Sequence, residues 1–342
     1  MRVVLNGCGA ISSLWLDAIS QNTKLELVGL VDIAPEAAER QREAYGLDIA
    51  IGDTLAAMLV RTQPDIVFDC SIPSAHPAVT LTALEHGCHI FGEKPMAESL
   101  SQAQSMRRAA QQAGKVYAVM QNRRFDPNLR SIQRLLASGL LGDITSINAD
   151  FFLAAHFGGF REQMQHVLLQ DMSIHHFDMA RFLCGRNAES VYCLEWNPAD
   201  SWYSNGASAQ AIVTMQGGVV FNYRGSWCSE GLHTPWQGQW RIIGTCGSLS
   251  WDGDSGLHCE VVKQTGGFIS EHEQPSLPSL QPQAPRDWHR YAIDHFVEAL
   301  EQNKTPETVC DDNIHSLAMV FAAIASAQSQ QLVQVESLFA SN

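Results

Sequence analysis

Residues 91–95, Phe-Gly-Glu-Lys-Pro, carry the first side chains that could do chemistry. They follow a short apolar run at residues 88–90, which is typical of a buried strand, and they precede a helical pattern that begins near residue 98. Glu93 and Lys94 would therefore lie at the carboxyl end of a core strand, where open α/β sheets bind their ligands. A surface turn with a solvated Lys94 is the alternative, and the rest of the chain decides between them.

A second chemical pair, Asp171 and His175, lies within residues 170–183, whose apolar spacing predicts a helix. The two residues are four positions apart, so their side chains share one face of that helix. A carboxylate beside an imidazole can orient the ring for proton transfer near neutral pH. Asp171 could instead favour the helix dipole, and His175 could be a core histidine. No metal site is expected, because His175, His176 and Asp178 lie too close together on unlike faces to bind one zinc ion.

A glycine turn follows the first predicted strand, at residues 2–6, and precedes a helical segment at residues 13–20. Gly7 would permit the tight turn, and Gly9 would let the backbone approach a pyrophosphate at the helix N-terminus. Ser12 stands at the third small position, where glycine or alanine is usual.

The next predicted strand, residues 25–31, ends at Asp32, 25 residues after Gly7. A carboxylate there would accept hydrogen bonds from the hydroxyls of an adenosine ribose. Ile33 and Ala34 follow, so no neighbouring arginine is offered to a 2′-phosphate, and NAD is favoured over NADP as the cofactor. A plain βαβ unit without a nucleotide is the alternative.

Strands and helices continue to alternate to about residue 123, which predicts a Rossmann-type, doubly wound parallel sheet over residues 1–123. Ser71 and His76 lie in a turn after the strand predicted at residues 65–70. His76 could also be a helix-start residue without a chemical role.

From about residue 128 the strands alternate between apolar and polar residues, as half-exposed strands do. Short turns such as residues 216–218 join several of them as hairpins, so residues 124–342 are predicted to form an α+β domain with a large, open-faced, mostly antiparallel sheet. This domain would bind substrate and form subunit contacts through the Trp-rich sheet, giving a homodimer or homotetramer. The closing helices, within residues 287–330, could pack back on the first domain.

Composition narrows the class of protein. A length of 342 residues is about twice that of a usual domain. The net charge of −14 argues against nucleic-acid or membrane partners, because both need basic patches. Nine cysteines without a C-x-x-C pair argue against a disulfide framework and a zinc knuckle. The N-terminus enters a strand directly, without a signal-peptide pattern, so a cytoplasmic protein is expected.

Taken together, these motifs resemble those of the glucose–fructose oxidoreductase / inositol dehydrogenase / MocA (Gfo/Idh/MocA) family. The resemblance covers essentially the whole chain, and its motifs occur in family order: Gly7-x-Gly9, Asp32, Glu93-Lys94-Pro95, Arg124-Phe125 and Asp171-x-x-x-His175. One departure concerns residues 167–170, Val-Leu-Leu-Gln, where many members carry a glycine-rich step.

The resemblance implies which residues of a dehydrogenase site act in catalysis, in cofactor binding and in substrate binding. It implies a catalytic group beside the nicotinamide, namely Lys94, Asp171 and His175. Around the cofactor it implies Gly7, Gly9, Ala10, Ile11, Asp32, Ser71, His76, Glu93 and Lys94. The expected substrate-binding residues are Lys94, Arg124, Arg161, Asp171 and His175.

The reaction implied is transfer of a hydride to NAD from a secondary hydroxyl of a sugar, sugar derivative or cyclitol. A redox-neutral glycosidase or epimerase that oxidises the ring transiently is an alternative, and the same residues would serve it. A non-enzymatic, dinucleotide-sensing regulator is disfavoured, because it would not need Lys94, Asp171 and His175.

Substrate identity depends on side chains with two interpretations. Arg161 could hold a carboxylate or sulfonate through its guanidinium, or it could pair with Glu162. Trp227, Trp236 and Trp240 could stack on a sugar face, or they could belong to the core or to an interface.

Overall fold

The computed structural model describes residues 1–282 and 285–340. Within them the chain forms two compact units, a first of residues 1–125 and 285–314 and a second of residues 126–282 and 315–340. The predicted domain boundary at residue 123 lies two residues before the first of these divisions. Residues 283, 284, 341 and 342 of the predicted second domain lie outside the described residues.

The first unit contains a six-stranded parallel sheet, which confirms the predicted doubly wound domain. Its elements in chain order are β1 (Arg2–Asn6), α1 (Ser12–Gln21), β2 (Glu26–Val31), α2 (Pro35–Ala44), β3 (Ala50–Gly52), α3 (Leu55–Thr62), β4 (Ile66–Asp69), α4 (His76–Glu85), β5 (His89–Gly92), α5 (Leu100–Ala113) and β6 (Tyr117–Val119). The strand order is β3-β2-β1-β4-β5-β6. The sequence does not predict β3, because three residues are too few to show a period.

The second unit contains a nine-stranded sheet, which confirms the predicted α+β architecture. Its elements begin with α6 (Pro127–Ala137), β7 (Ile144–Phe152), a π-helix (Leu168–Ser173), α7 (Ile174–Cys184), β8 (Ala188–Trp196), β9 (Ser208–Met215), β10 (Val220–Ser226), β11 (Gln239–Gly244), β12 (Gly247–Trp251), β13 (Leu257–Gln264) and β14 (Glu271–Glu273). The chain then forms α8 (Pro285–Glu301), which belongs to the first unit, and α9 (Cys310–Ser329), whose first residues also do. The last elements of the second unit are β15 (Val333–Gln334) and α10 (Val335–Ala340). The strand order is β14-β13-β12-β11-β7-β10-β9-β8-β15; the pairs are antiparallel except that β7 and β10 run parallel.

Local signals explain where several helices begin and end. The Ser99 side chain accepts a hydrogen bond from the backbone of Gln102 and caps α5, which ends at Gly114 in the left-handed conformation. Asp126 caps α6 in the same way through the Asn128 backbone N–H, and Pro127 occupies the first turn.

An aromatic core joins the first sheet to α8. Trp15 of α1 lies against Phe68 and Phe91 on neighbouring strands, and Phe91 stacks on Phe296 of α8 with 4.7 Å between ring centres. The closing helix α8 therefore covers one face of the first sheet, next to α1.

The nine-stranded sheet is buried on one face only. Phe221, Tyr223 and Trp240 point to the buried face, where Phe177 of α7 packs against Phe221 and Tyr223. On the opposite face the strand residues are partly or largely exposed, for example Ile212, which is 48% exposed.

Candidate active site

The glycine turn holds β1 close to the end of β4. Gly7 has φ +89°, and a Cβ added there would lie 2.6 Å from the backbone of Cys70 and Ser71. Only glycine suits that position. A Cβ on Gly9 would meet no atom within 4 Å, so open space lies above the turn at the N-terminus of α1. This is the space that the pyrophosphate of a dinucleotide requires.

Asp32 is fixed at the carboxyl end of β2. Its Oδ2 accepts a hydrogen bond of 2.7 Å from the Cys8 backbone N–H, and its Oδ1 accepts one of 2.9 Å from Ala34. The carboxylate is thus tied to the glycine turn and is positioned beside the space above Gly9, as a ribose acceptor would be.

Exposed isoleucines line the same edge of the sheet. Ile33 after β2 is 95% exposed, Ile72 after β4 is 62% exposed, and Ile11 at the start of α1 is 37% exposed. Ile11 belongs to the predicted cofactor set, whereas sequence reasoning did not assign Ile33 or Ile72 to it. Apolar side chains at a sheet edge suit the flat faces of a nucleotide base.

The turn after β4 is organised by a buried carboxylate that the sequence analysis missed. Asp69 Oδ1 accepts hydrogen bonds from the Ser71 backbone N–H at 3.0 Å and from its hydroxyl at 2.6 Å. His76 is buried, with Nε2 3.1 Å from the Ser71 carbonyl oxygen and Nδ1 2.9 Å from that of Pro95. His76 therefore connects the turn after β4 to the segment that carries Lys94.

Glu93 is buried, and its partners lie in α1 and α8. The Trp15 indole N–H donates to Oε1 at 2.7 Å, and His289 Nε2 lies 3.4 Å from the same oxygen. Burial acts to raise the pKa of Glu93, but His289, Trp15 and the nearby Lys94 outweigh it and lower the pKa. Glu93 thus anchors the backbone next to Lys94, whose side chain is half-buried.

Two polar residues follow β6 with different surroundings. Gln121 is buried, and among the described residues neither Oε1 nor Nε2 has a hydrogen-bond partner. An unsatisfied buried amide is costly, so Gln121 is suited to a ligand at this edge, although sequence reasoning did not select it. Arg124 is buried and pairs with Asp312 at 2.7 Å, which supports a structural role, and its substrate contact stays a prediction.

Asp171 lies in the π-helix of the second unit, and His175 lies in the first turn of α7. The predicted helix is present, but its first part is a π-helix, in which residue i bonds to residue i+5 instead of i+4. The wider turn is held by the Ser173 hydroxyl, which donates to the Leu168 carbonyl at 3.1 Å and lies 3.1 Å from the Tyr223 hydroxyl. Both Asp171 and His175 are largely buried, at 12% side-chain and 7% residue exposure.

The departure at residues 167–170 has a structural explanation. Val167, Leu168 and Leu169 are fully buried, so their bulk fills the core of the second unit. Gln170 is half-buried, and its backbone N–H donates to His166.

Arg161 pairs with Asp171. Its Nε donates to Asp171 Oδ2 at 3.0 Å, so the suggested pairing with Glu162 is replaced by a pairing with the predicted catalytic carboxylate. The guanidinium also lies 5.0 Å from the ring centres of Phe157 and Phe160. The charge of Asp171 also acts on Tyr203. Burial, and after it the charge of Asp171, raise the pKa of Tyr203 to about 12, although a hydrogen bond from Trp202 acts to lower it.

The three tryptophans separate into two groups. Trp227 and Trp240 are buried, at 1% and 3% exposure, so they belong to the core as the alternative interpretation states. Trp236 is 41% exposed and lies against Trp227. His176 is also a core residue, enclosed by the rings of Phe151 and Tyr223.

Within residues 1–282 and 285–340, no three His, Cys, Asp or Glu side chains are grouped so that they could bind a metal ion. Across the same described residues, no helix is both long enough and apolar enough to span a membrane.

A parallel sheet with a glycine turn, an acid at the end of β2 and a second open-faced sheet are features of a two-part protein with a dinucleotide-binding domain. Residues 1–121 match the family model of oxidoreductases with an NAD-binding Rossmann fold, and residues 129–250 match the Gfo/Idh/MocA C-terminal domain. The chain belongs to the Gfo/Idh/MocA family.

Several relatives match this chain over nearly its whole length, in sequence or in structure. The chain is 27% identical to the uncharacterized protein y4oX of Sinorhizobium fredii, covering 99% of this chain and 97% of that protein. It is 26% identical to D-apiose dehydrogenase of Paraburkholderia graminis, covering 98% and 89%. A crystal structure of an oxidoreductase from Agrobacterium radiobacter, in complex with NAD+, L-tartaric acid and magnesium, superposes with a TM-score of 0.87 at 21% identity, covering 99% of both chains.

Proposed function

We propose that this protein is an NAD-dependent dehydrogenase that oxidises a secondary hydroxyl of a sugar, sugar derivative or cyclitol, with Lys94, Asp171 and His175 as its catalytic group. The observation that carries the proposal is the placement of Lys94. It follows β5 at the carboxyl edge of the first sheet, and the buried Glu93 anchors its backbone. The similarity to D-apiose dehydrogenase supports the substrate class.

The residues of the first unit fit a dinucleotide. Gly9 leaves space for the pyrophosphate, Asp32 next to the glycine turn would accept hydrogen bonds from a ribose, and Gln121 would offer a buried amide. Asp32 with the apolar Ile33 beside it favours NAD over NADP. Bound NAD would accept the hydride that leaves the carbon of the substrate hydroxyl.

The chain's own residues handle the proton and the charge. His175 accepts the hydroxyl proton as the C–H bond breaks. Lys94 donates a hydrogen bond to the same oxygen and stabilises its developing negative charge. Asp171, held by Arg161, orients the imidazole and can accept from further substrate hydroxyls.

The test begins with a screen of sugars, cyclitols and glycosides with NAD, followed by NADH absorbance and by product analysis. Lys94→Ala and His175→Ala should each lower kcat/KM about 10²–10⁴-fold on the best substrate. The two losses should be far from additive, because the groups act on one hydroxyl. His175→Ala should leave NAD affinity within a few fold of wild type.

Exposed residues of the same types provide controls. Lys263→Ala and His272→Ala, on β13 and β14, should keep wild-type turnover. Near-wild-type turnover by the His175→Ala protein would contradict the assigned role. Product formation without release of NADH would instead indicate the redox-neutral reaction.

The exposed face of the nine-stranded sheet is the proposed subunit contact of a homodimer or homotetramer. Its support is the apolar character of Tyr192, Leu194, Trp196 and Ile212, which are 37% to 49% exposed on adjacent strands.

A further inference from the structure

Three half-exposed aromatic residues lie near the Arg161–Asp171 pair: Phe157 and Trp236 are in ring contact, and Phe160 lies against the Arg161 guanidinium. Phe157 is 43% exposed, Phe160 is 58% exposed, and Trp236 is 41% exposed. We call these three residues the aromatic shelf. Phe157 and Trp236 lie 6.4 Å apart by ring centres, and Arg161 lies against both phenylalanines. Exposed apolar patches of this kind usually mark a binding surface.

The shelf has a rigid base. The buried Trp227 makes edge-on contacts with Phe157 at 5.1 Å and with Trp236 at 5.7 Å between ring centres. The backbone two residues before Phe157 is also held in place, because the carbonyl oxygen of Ala155 accepts hydrogen bonds from Trp202 and Tyr203. The exposed faces are therefore supported in place, as preorganised ligand sites are.

The shelf is continuous with the proposed catalytic residues. The Arg161 Nε lies 3.0 Å from the Asp171 carboxylate, and its guanidinium carbon lies 5.0 Å from the Phe160 ring centre. The Phe157 ring centre also lies 5.0 Å from the guanidinium carbon, so with ordinary bond lengths both phenylalanine ring centres are no more than about 10 Å from that carboxylate, a span on the order of one sugar ring and its substituent. Because Asp171 pairs with Arg161, the guanidinium charge is balanced and the surface favours an uncharged, apolar group.

We infer that the aromatic shelf is a subsite for an aryl aglycone, so that the substrate is a glycoside with an aromatic group next to the sugar that is oxidised. This inference rests on the proposed function. The polar ring would face Asp171 and His175, and the aglycone would stack on Phe157 and Trp236, whose rings are in contact. Aromatic stacking of this kind is worth up to about tenfold in affinity for each ring contact.

Matched pairs of methyl and phenyl β-glycosides of glucose, galactose and xylose provide the probes. Their dissociation constants are measured with NAD present, by saturation-transfer NMR titration, and kcat/KM is measured for every pair that is turned over. The wild-type protein should prefer the phenyl member of at least one pair about tenfold. In Phe157→Ala and Trp236→Ala that preference should fall towards one, whereas Trp236→Phe should retain most of it.

Phe268→Ala is the matched control, because Phe268 is fully exposed on the turn between β13 and β14 and should leave the preference unchanged. Equal affinity for phenyl and methyl glycosides, no measurable phenyl glycoside binding, or a preference that survives both alanine variants would overturn the subsite. An equal gain from a second sugar ring, tested with methyl cellobioside, would also overturn its aromatic character. Aryl-selective binding without any conversion of the sugars would contradict the proposed function alone, and conversion without aryl selectivity would contradict the subsite alone.

Discussion

A buried carboxylate usually has a raised pKa, yet the pKa of Glu93 is lowered. Burial acts to raise it, and the hydrogen bond and charge of His289 act against burial, followed by the Trp15 indole and by Lys94. Glu93 is therefore held as an anion, and its contribution to stability depends on pH.

Because the pKa of Glu93 is lower in the folded than in the unfolded protein, its stabilisation should be complete above the unfolded value of about 4.5 and lost as the pH falls through the folded value. The difference in unfolding free energy between wild type and Glu93→Gln, measured by urea denaturation, should shrink over that range. At pH 7, His289→Ala should cost about 3–5 kcal/mol, because it leaves a buried charge short of a partner. The exposed His272→Ala should change stability by less than about 0.5 kcal/mol. An unchanged stability of His289→Ala would show that the pair is not an anchor.

The preference for NAD over NADP is also expected to depend on single residues, Asp32 and Ile33. Wild-type protein should bind NAD at least about tenfold more tightly than NADP, because a 2′-phosphate would meet the Asp32 carboxylate without a cation. Ile33→Arg should strengthen NADP binding, since Ile33 is exposed beside Asp32 and an arginine there could pair with the phosphate. Val60→Arg, at another exposed apolar position, on α3, should not. Calorimetric titration measures both affinities, and equal or tighter NADP binding by wild type would contradict the assignment.

At the scale of elements, the two glycines of the turn between β1 and α1 have different roles: Gly7 is needed for folding, and Gly9 is expected to be needed for NAD binding. Gly7→Ala should lower the unfolding free energy by at least about 2 kcal/mol, because φ is positive and the Cβ would clash with the backbone after β4. Gly9→Ala should keep the stability, since its Cβ meets no atom within 4 Å, but should weaken NAD binding at least about tenfold by filling the space above the turn. Thermal unfolding without ligand and NAD titration give the two readouts. Unchanged NAD affinity in Gly9→Ala would place the pyrophosphate elsewhere.

At the scale of the whole molecule, the open face of the second sheet is uneven. Tyr192 pairs in register with Ile212 on β8 and β9, where the exposed residues are apolar. In the middle of the sheet the same face carries Asn148 beside Asn222, and an ion pair of Asp150 with Arg224. An apolar region with polar residues next to it is the pattern of an interface.

Light scattering at micromolar concentration should therefore show a dimer or tetramer. Ile212→Asp should shift the mass towards the monomer, because it would bury a charge in the contact. Val60→Asp on α3 is the control, an exposed apolar residue outside the sheet, and should leave the mass unchanged. A monomeric wild-type protein would refute the proposed assembly.

The sequence alone determined most of the elements and the family to which the chain belongs. The strand predicted over residues 2–6 coincides with β1, and the glycine turn is found at its predicted place, because period and turn chemistry are local properties that neighbouring residues encode. Asp32 and Lys94 lie at the carboxyl ends of strands for the same reason.

Only the tertiary structure decided which side chains meet. Glu93 pairs with His289, 196 positions away, and no local pattern encodes such a partner because the chain must first return through α8. The π-helix around Asp171 contains Ser173, whose hydroxyl contacts Tyr223 of a distant strand, whereas helical periodicity alone predicts a helix there without its type. Trp240 lies on the buried face because α7 covers that face, whereas strand alternation defines two faces without saying which one is covered.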